Sequence, residues 1–237
     1  ALQFMIESLE DLSLQISKNG GKLYTFYGHN EKVIAECIKS LDIGIVCFNL
    51  DYSPYAIKRD TSIENLCNKM NVYLLTDHDY YLNPPSTILN GSGNSYQKFT
   101  PYYETALKQR VQSPSNASRL NFTKKQQMRV ANFITLQNAM TKFTRVNPHI
   151  LVHGGRQHAM QALTEALKTQ KHYATTRNEL WMPTSQLSAY IKFGCISIRE
   201  VYKAFKRNRD FIRQLYWRDF YANILFSFPY VLGHAMK

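Results

Sequence analysis

The chain has no hydrophobic run that approaches a membrane span, no paired cysteines and no signature loop of a nucleotide hydrolase or serine hydrolase. Its longest apolar stretch near the end, Ile224 to Gly233, is broken by Ser227 and Pro229. That falls far short of the roughly 20 residues a spanning helix needs, so no membrane partner is expected. Cys37, Cys47, Cys67 and Cys195 lie far apart and form no CxxC pair. They read as buried thiols in an intracellular, reducing compartment such as cytoplasm, nucleus or a viral factory. The histidines show neither HxH nor HExxH spacing, and no metal site is expected. P-loop, GxSxG and GxGxxG patterns are missing, so a hydrolase or NTPase would have to work without its usual signature. No signal peptide or low-complexity tract is visible.

Acidic residues are also scarce, but only in one half. The formal net charge is +12. Residues 1–112 carry 10 Lys and Arg against 12 Asp and Glu, whereas residues 113–237 carry 19 against 5. All of the basic excess therefore sits in the second half. Such asymmetry fits a polyanionic partner, with nucleic acid ahead of an anionic membrane because no amphipathic basic helix dominates. Charge alone is equally compatible with a solvated basic face that serves solubility.

What is present is a globular pattern of two kinds. A helical periodicity opens the chain and stops at Asn19-Gly20-Gly21. A strand over 22–28, a helix of about a dozen residues and an apolar strand over 43–49 then form a strand, helix, strand unit. Pro54 can open a helix reaching about Met70, and 72–76 reads as the next strand. Residues 1–112 are thus expected to be α/β with a parallel, Rossmann-like sheet. Residues 77–97 read as a loop, and a helix begins near Pro101. Residues 113–150 read as an interdomain linker with one helix; its Asn121-Phe122-Thr123 carries no glycosylation meaning in a reducing compartment. From 151 to 237 the pattern is all-α, with helices over 156–169, 185–194, 198–206 and 208–226.

Two stretches carry candidate chemistry. Thr184, Ser185 and Ser188 cluster at a helix start, where hydroxyls and free amides suit a phosphate. In isolation such a cluster reads first as a plain N-cap. In "QLYWRDFY" (214–221) Arg213, Gln214, Trp217, Arg218 and Tyr221 share a broad helix face. An aromatic flanked by guanidinium and amide groups can stack a base and grip phosphate, although Trp217 taken alone is as readily structural.

Six segments in order resemble the DNA photolyase and cryptochrome family: "FNLDYSPYAIKRD" (48–60), "YLNPPSTILNGSGNSYQKFTPYY" (81–103), "GGRQHAMQAL" (154–163), "YATTRN" (173–178), "TSQLSAYIKFGCIS" (184–197) and "QLYWRDFY". The resemblance implies an α/β antenna domain followed by an all-α FAD-binding domain. It further implies light-driven repair, a carbon–carbon lyase activity in which FAD donates an electron to a flipped pyrimidine dimer. The partners are then FAD and UV-damaged DNA; whether the antenna pigment is a folate, a deazaflavin or none, the sequence does not name. By similarity Tyr173 and the stretch Thr184, Ser185, Gln186, Leu187 and Ser188 hold the FAD pyrophosphate, with Phe211, Gln214 and Arg218 also at the flavin. Arg177 contacts DNA phosphate, Trp217 packs against the flipped dimer, and Gln214 hydrogen-bonds the damaged base.

There are departures from the family pattern. Gln214 stands where cyclobutane-dimer photolyases commonly have Glu; Gln is usual in (6-4) photolyases and animal-type cryptochromes, which leaves lesion type open. Phe211 stands where several dimer photolyases have Trp. The family's first strand and the helices completing the flavin cup find no counterpart here. The expectation is a fragment, or one half of a split gene whose other part is a separate chain, with no catalytic residue of its own. Signalling without repair, or an inactive remnant, are the alternatives.

Overall fold

The computed structural model describes residues 1–114, 120–122 and 130–234. The expected linker lies partly outside these residues, as does Thr123 of the Asn-x-Thr motif. Helix α1 (Leu2–Lys18) ends on Asn19, and Gly20 follows with φ +79°, the left-handed conformation that stops a helix. Helix α2 (Asn30–Leu41) leads into strand β1 (Ile45–Asn49). In α3 (Pro54–Met70), Pro54 takes the first turn and the Ser53 hydroxyl accepts from the Ala56 amide at 3.3 Å. Strand β2 (Tyr73–Asp77) pairs with β1 in parallel, with Ile45 opposite Tyr73 and Asn49 opposite Asp77.

Two expectations about this sheet need correcting. Residues 22–28 make no strand of it. They turn the other way, forming one antiparallel bridge from Phe26 to Phe133, with Tyr27 donating to the Asn132 carbonyl and Ile134 donating to that of Thr25. A strand is defined by its neighbour, and here the neighbour is a segment more than a hundred residues away. An apolar run such as 43–48 is what a parallel strand buried on both faces carries. Instead Ile45, Cys47, Tyr73 and Leu75 line an exposed face. Helix α3 covers only one side of β2, and no helix among the described residues covers the other. Cys47 is accordingly exposed and Cys37 half-buried; only Cys67 and Cys195 are buried, and all four are free.

The main core belongs to the helical part. Helices α4 (Phe99–Ala106), α6 (Arg156–Thr169), α8 (Leu187–Lys192), α9 (Ile198–Ala204) and α10 (Arg209–Ser227) share one cluster that includes Phe99, Tyr102, Leu163, Tyr190, Val201 and Phe220. Helix α5 (Leu136–Phe143) and α6 both pack on α1, and the short α7 (Tyr173–Thr176) packs on α10. No described helix is long and apolar enough to cross a membrane.

Helix α1 is wired into the helical part. Phe4 packs its ring on Tyr190 and Phe193, at 5.3 and 5.2 Å between centroids. Glu7 accepts from the Gly154 amide at 2.8 Å, Ser8 Oγ from Gly155 at 3.2 Å and Asp11 from Arg156 at 2.7 Å. Three side chains of α1 thereby satisfy the free amides at the start of α6, and the acidic pair suits its positive end. The approach is close: a Cβ on Gly154 would lie 2.2 Å from the Phe4 carbonyl oxygen.

The loop over 78–97 is equally bound, to α10. Asp219, Asn223 and Ser227 recur at four-residue spacing on one side of that helix. Asp219 accepts from the Asn83 amide at 2.9 Å, Asn223 from Ser86 at 3.0 Å, and Ser227 meets Ser95 at 2.6 Å.

Candidate functional site

The predicted site residues divide between two places, and the structure adds a third. The first is where α7, the segment 183–188 and the start of α10 converge. Tyr173 is half-buried and its ring meets Phe211 edge-on at 5.1 Å; Phe211 is buried and also stacks on Phe205 at 3.8 Å. Two residues that sequence reasoning passed over fix this junction. Gln170, 4% exposed, donates to the Pro183 carbonyl at 3.0 Å, and Asn208, the cap of α10, donates to the Gln170 carbonyl at 2.9 Å. One buried glutamine, through its side-chain amide and its backbone carbonyl, thus ties the approach to Thr184 to the root of α10. The detectable signal was Asn208 at a helix start; Gln170 had none.

The hydroxyl cluster differs from the expected N-cap. Helix α8 starts at Leu187, and its cap is Gln186 in the left-handed region, φ 52°, with no side-chain cap bond. Only Ser185 reaches an amide, that of Leu187, at 3.5 Å. Thr184 and Ser188 are exposed and Leu187 is buried. The hydroxyls of Thr184 and Ser188 are therefore not consumed in capping, which is the condition for binding something else. Arg177 is exposed at the end of α7, near enough to Tyr173 for its charge to oppose the rise that burial imposes on the phenol.

The second place is the middle of α10. Trp217 stacks on Phe99 of α4, 3.6 Å between centroids and 8° from parallel, and its ring also neighbours Tyr221 at 5.5 Å. It is half-buried, neither core nor open surface. Gln214, half-buried, lies one turn before it on the same face. The arginines that made this face look like a binding surface are partly engaged inside. The Arg213 guanidinium lies over Phe99 and Tyr103, at 5.4 and 5.7 Å. Arg218 lies over Tyr81 at 4.7 Å and donates to the Tyr80 carbonyl. Arg218 thus braces the 78–97 loop, about 10 Å along the helix from Phe211 by the helical rise. Elsewhere on α10, Leu215, Phe220 and Ile224 are buried and Leu225 is half-buried.

The third place was not anticipated. A cleft of about 700 Å³ opens where β1 and β2 end, bounded by Asn49, Asp77 and Asp79 on one side and by Arg156, Cys195 and Arg199 on the other. Arg199 pairs with Asp79 across it, and Arg156 holds Glu200 through two bonds of 2.8 and 2.6 Å. Glu200 also accepts from the Ser197 amide in a capping box, and the Arg156 bond holds its carboxyl below the usual range. The carboxyl end of parallel strands is where open α/β sheets bind ligands. The signal in the sequence was available: it is the position just after two predicted strands.

Comparison with known proteins supports this architecture. A family model described as DNA photolyase matches residues 1–119. The chain belongs to the DNA photolyase family. It is 27% identical over 241 residues to the deoxyribodipyrimidine photo-lyase of Alkalihalophilus pseudofirmus, covering 95% of this chain and 49% of that protein. It is 25% identical over 270 residues to Cryptochrome-1 of Aedes aegypti, covering 97% and 49%. Among solved structures it superposes on the archaeal photolyase of Sulfolobus tokodaii, a structure with two FAD molecules, with a TM-score of 0.79 and 27% identity, covering 98% of this chain and 50% of the other. The chain spans about half the length of the curated relatives it matches. The family also accounts for the layout, an α/β part with a parallel sheet followed by a helical part.

Proposed function

We propose that this photolyase-family chain contributes the phosphate side of an FAD site and part of the lesion-facing surface of a light-dependent DNA-repair flavoprotein. The observation that carries the proposal is the junction of Tyr173, the 183–188 segment and the root of α10, from which Phe211, Gln214 and Trp217 run along one helix face. The donor set fits a dinucleotide: exposed hydroxyls of Thr184 and Ser188 beside uncapped amides, with an aromatic floor. Thr184, Ser185, Gln186 and Ser188 would bind phosphate oxygens, Leu187 and Tyr173 would wall the site, and Phe211 would hold Tyr173 in place. Bound FAD supplies the light-driven electron donation that splits a pyrimidine dimer. This chain's residues exclude water, position the ligand and grip DNA. Arg177 supplies a phosphate contact, Gln214 a neutral amide able to donate and accept, and Trp217 a ring already preorganised by Phe99.

The proposal divides the chain into 1–112, a linker over 113–150 and 151–237; a folate, a deazaflavin or no pigment fits it equally, and the cleft at the strand ends is the place that a pigment would take. A photoreceptor of cryptochrome type is the second reading, favoured by Gln214 in place of Glu. Illumination of dimer-containing DNA with the flavin-loaded protein separates the two, since only repair consumes the lesion. The primary test is binding: duplex carrying a pyrimidine dimer should bind more tightly than undamaged duplex, and Trp217→Ala should remove most of that preference. Equal affinity for the two duplexes in the unmutated protein would overturn the lesion-site assignment.

A further inference from the structure

Between α7 and Thr184 the chain makes a small projecting turn. Glu179 donates to the Thr176 carbonyl and Met182 to that of Glu179, and at its tip Leu180 is 103% and Trp181 77% exposed. No other large apolar side chain in the described structure is so bare as Leu180. The only polar atom of Trp181 is already satisfied, since its indole N–H donates to Glu179 at 3.2 Å within the same turn. Both ring faces are left for an outside partner. The base of the turn, by contrast, is anchored: Pro183 is held by buried Gln170, and through it by Asn208 at the root of α10. A bare Leu-Trp pair on a rigid foot is a wedge rather than a frayed loop.

The surroundings decide what it fits. Lys171, His172 and Arg177 are exposed nearby, and the one local acid, Glu179, is occupied with the indole. The half of the chain to which the turn belongs carries 19 basic against 5 acidic residues. Apolar wedges inserted between base steps, and aromatic faces stacked on bases beside phosphate-gripping cations, are how such surfaces engage opened nucleic acid. We infer that Leu180 and Trp181 form a wedge that enters a locally unstacked DNA duplex, with Arg177 on the adjoining phosphate. This inference rests on the DNA reading above and adds a second contact, away from Trp217, that would help keep the duplex open.

The sequence contains two tryptophans, so Trp217→Phe leaves Trp181 as the sole indole reporter. That variant is titrated with a duplex containing a short unpaired bubble, and Trp181 emission should be quenched about twofold or more and shielded from acrylamide. Leu180→Ser/Trp181→Ser in the otherwise unmutated chain should weaken bubble binding roughly tenfold while leaving the salt dependence unchanged. Both replaced side chains are exposed, and an unchanged unfolding midpoint verifies folding. Salt-dependent DNA binding with unaltered Trp181 emission and no effect of the double variant would overturn the wedge and leave the DNA reading standing. No DNA binding by any form would overturn both. Emission changes with anionic vesicles and none with DNA would assign the turn to a membrane surface instead.

Discussion

Asp219 sits inside the molecule at 1% exposure, between α10 and the 78–97 loop, with its Oδ2 on the Asn83 amide and its Oδ1 unpartnered among the described residues. Burial pushes its carboxyl up to about 8 from an ordinary 3.8, against the pull of the Asn83 amide and the Arg218 charge. The sign follows from proton counting. Below about pH 4 folded and unfolded chains both hold the proton. Between there and about 8 the folded chain keeps a proton that the unfolded one has lost, so stability falls as pH rises. Above about 8 the contribution is gone. The whole effect is on the order of 5 kcal/mol, and the slope is about 1.4 kcal/mol per pH unit. Asp219→Asn keeps the shape and cannot titrate. Urea unfolding of both proteins at pH 5, 6 and 7 should therefore show the wild-type advantage over the variant shrinking by about 3 kcal/mol across that interval. The slope carries the test, because the new amide also alters the hydrogen bond with Asn83. Parallel stability profiles for the two proteins would refute the reasoning.

Gly154→Ala should cost about 3 kcal/mol, the upper range for overpacking, because the added methyl meets the backbone of α1; denaturant midpoints measure it. Glu200→Ala removes a helix cap and one arm of a partly exposed ion pair, and a loss of about 1–2 kcal/mol is expected in the same assay, with Glu200→Gln recovering part of it. Arg177→Ala should weaken DNA binding to damaged and undamaged duplex alike and reduce the slope of log affinity against log salt by about 1, measured by fluorescence anisotropy over a salt series.

Much of the element order was legible because helix ends are local events. Asn19-Gly20 ends α1, Pro54 opens α3, and α6 runs over its expected residues. The stretch 22–28 was not, since its alternation suits a strand wherever a partner lies, and the partner turned out to be Phe133. Likewise the apolar run of β1 is that of a two-sided strand, yet one face is bare. At the candidate site, the identities of Tyr173, Thr184 and Trp217 were legible as a pattern. What each touches was not, because the stack of Trp217 on Phe99 and the brace of Arg218 on Tyr81 join residues over a hundred positions apart. The polar stripe Asp219, Asn223 and Ser227 left a visible trace, three hydrogen-bonding residues at a period of four that lead into the apolar end of α10.

The grip of Glu7, Ser8 and Asp11 on the start of α6 spans some 145 residues of sequence. A ribosome adding about 5–20 residues per second would release α1 on the order of 10 s before Gly154 exists. For that interval the first helix has neither its glycine pair nor the rings of Tyr190 and Phe193 to cover Phe4. The parallel pair of strands can close early; α1 can only wait. Docking of α1 is therefore a late step that waits for residues made long after it, because contacts of such sequence separation form slowly.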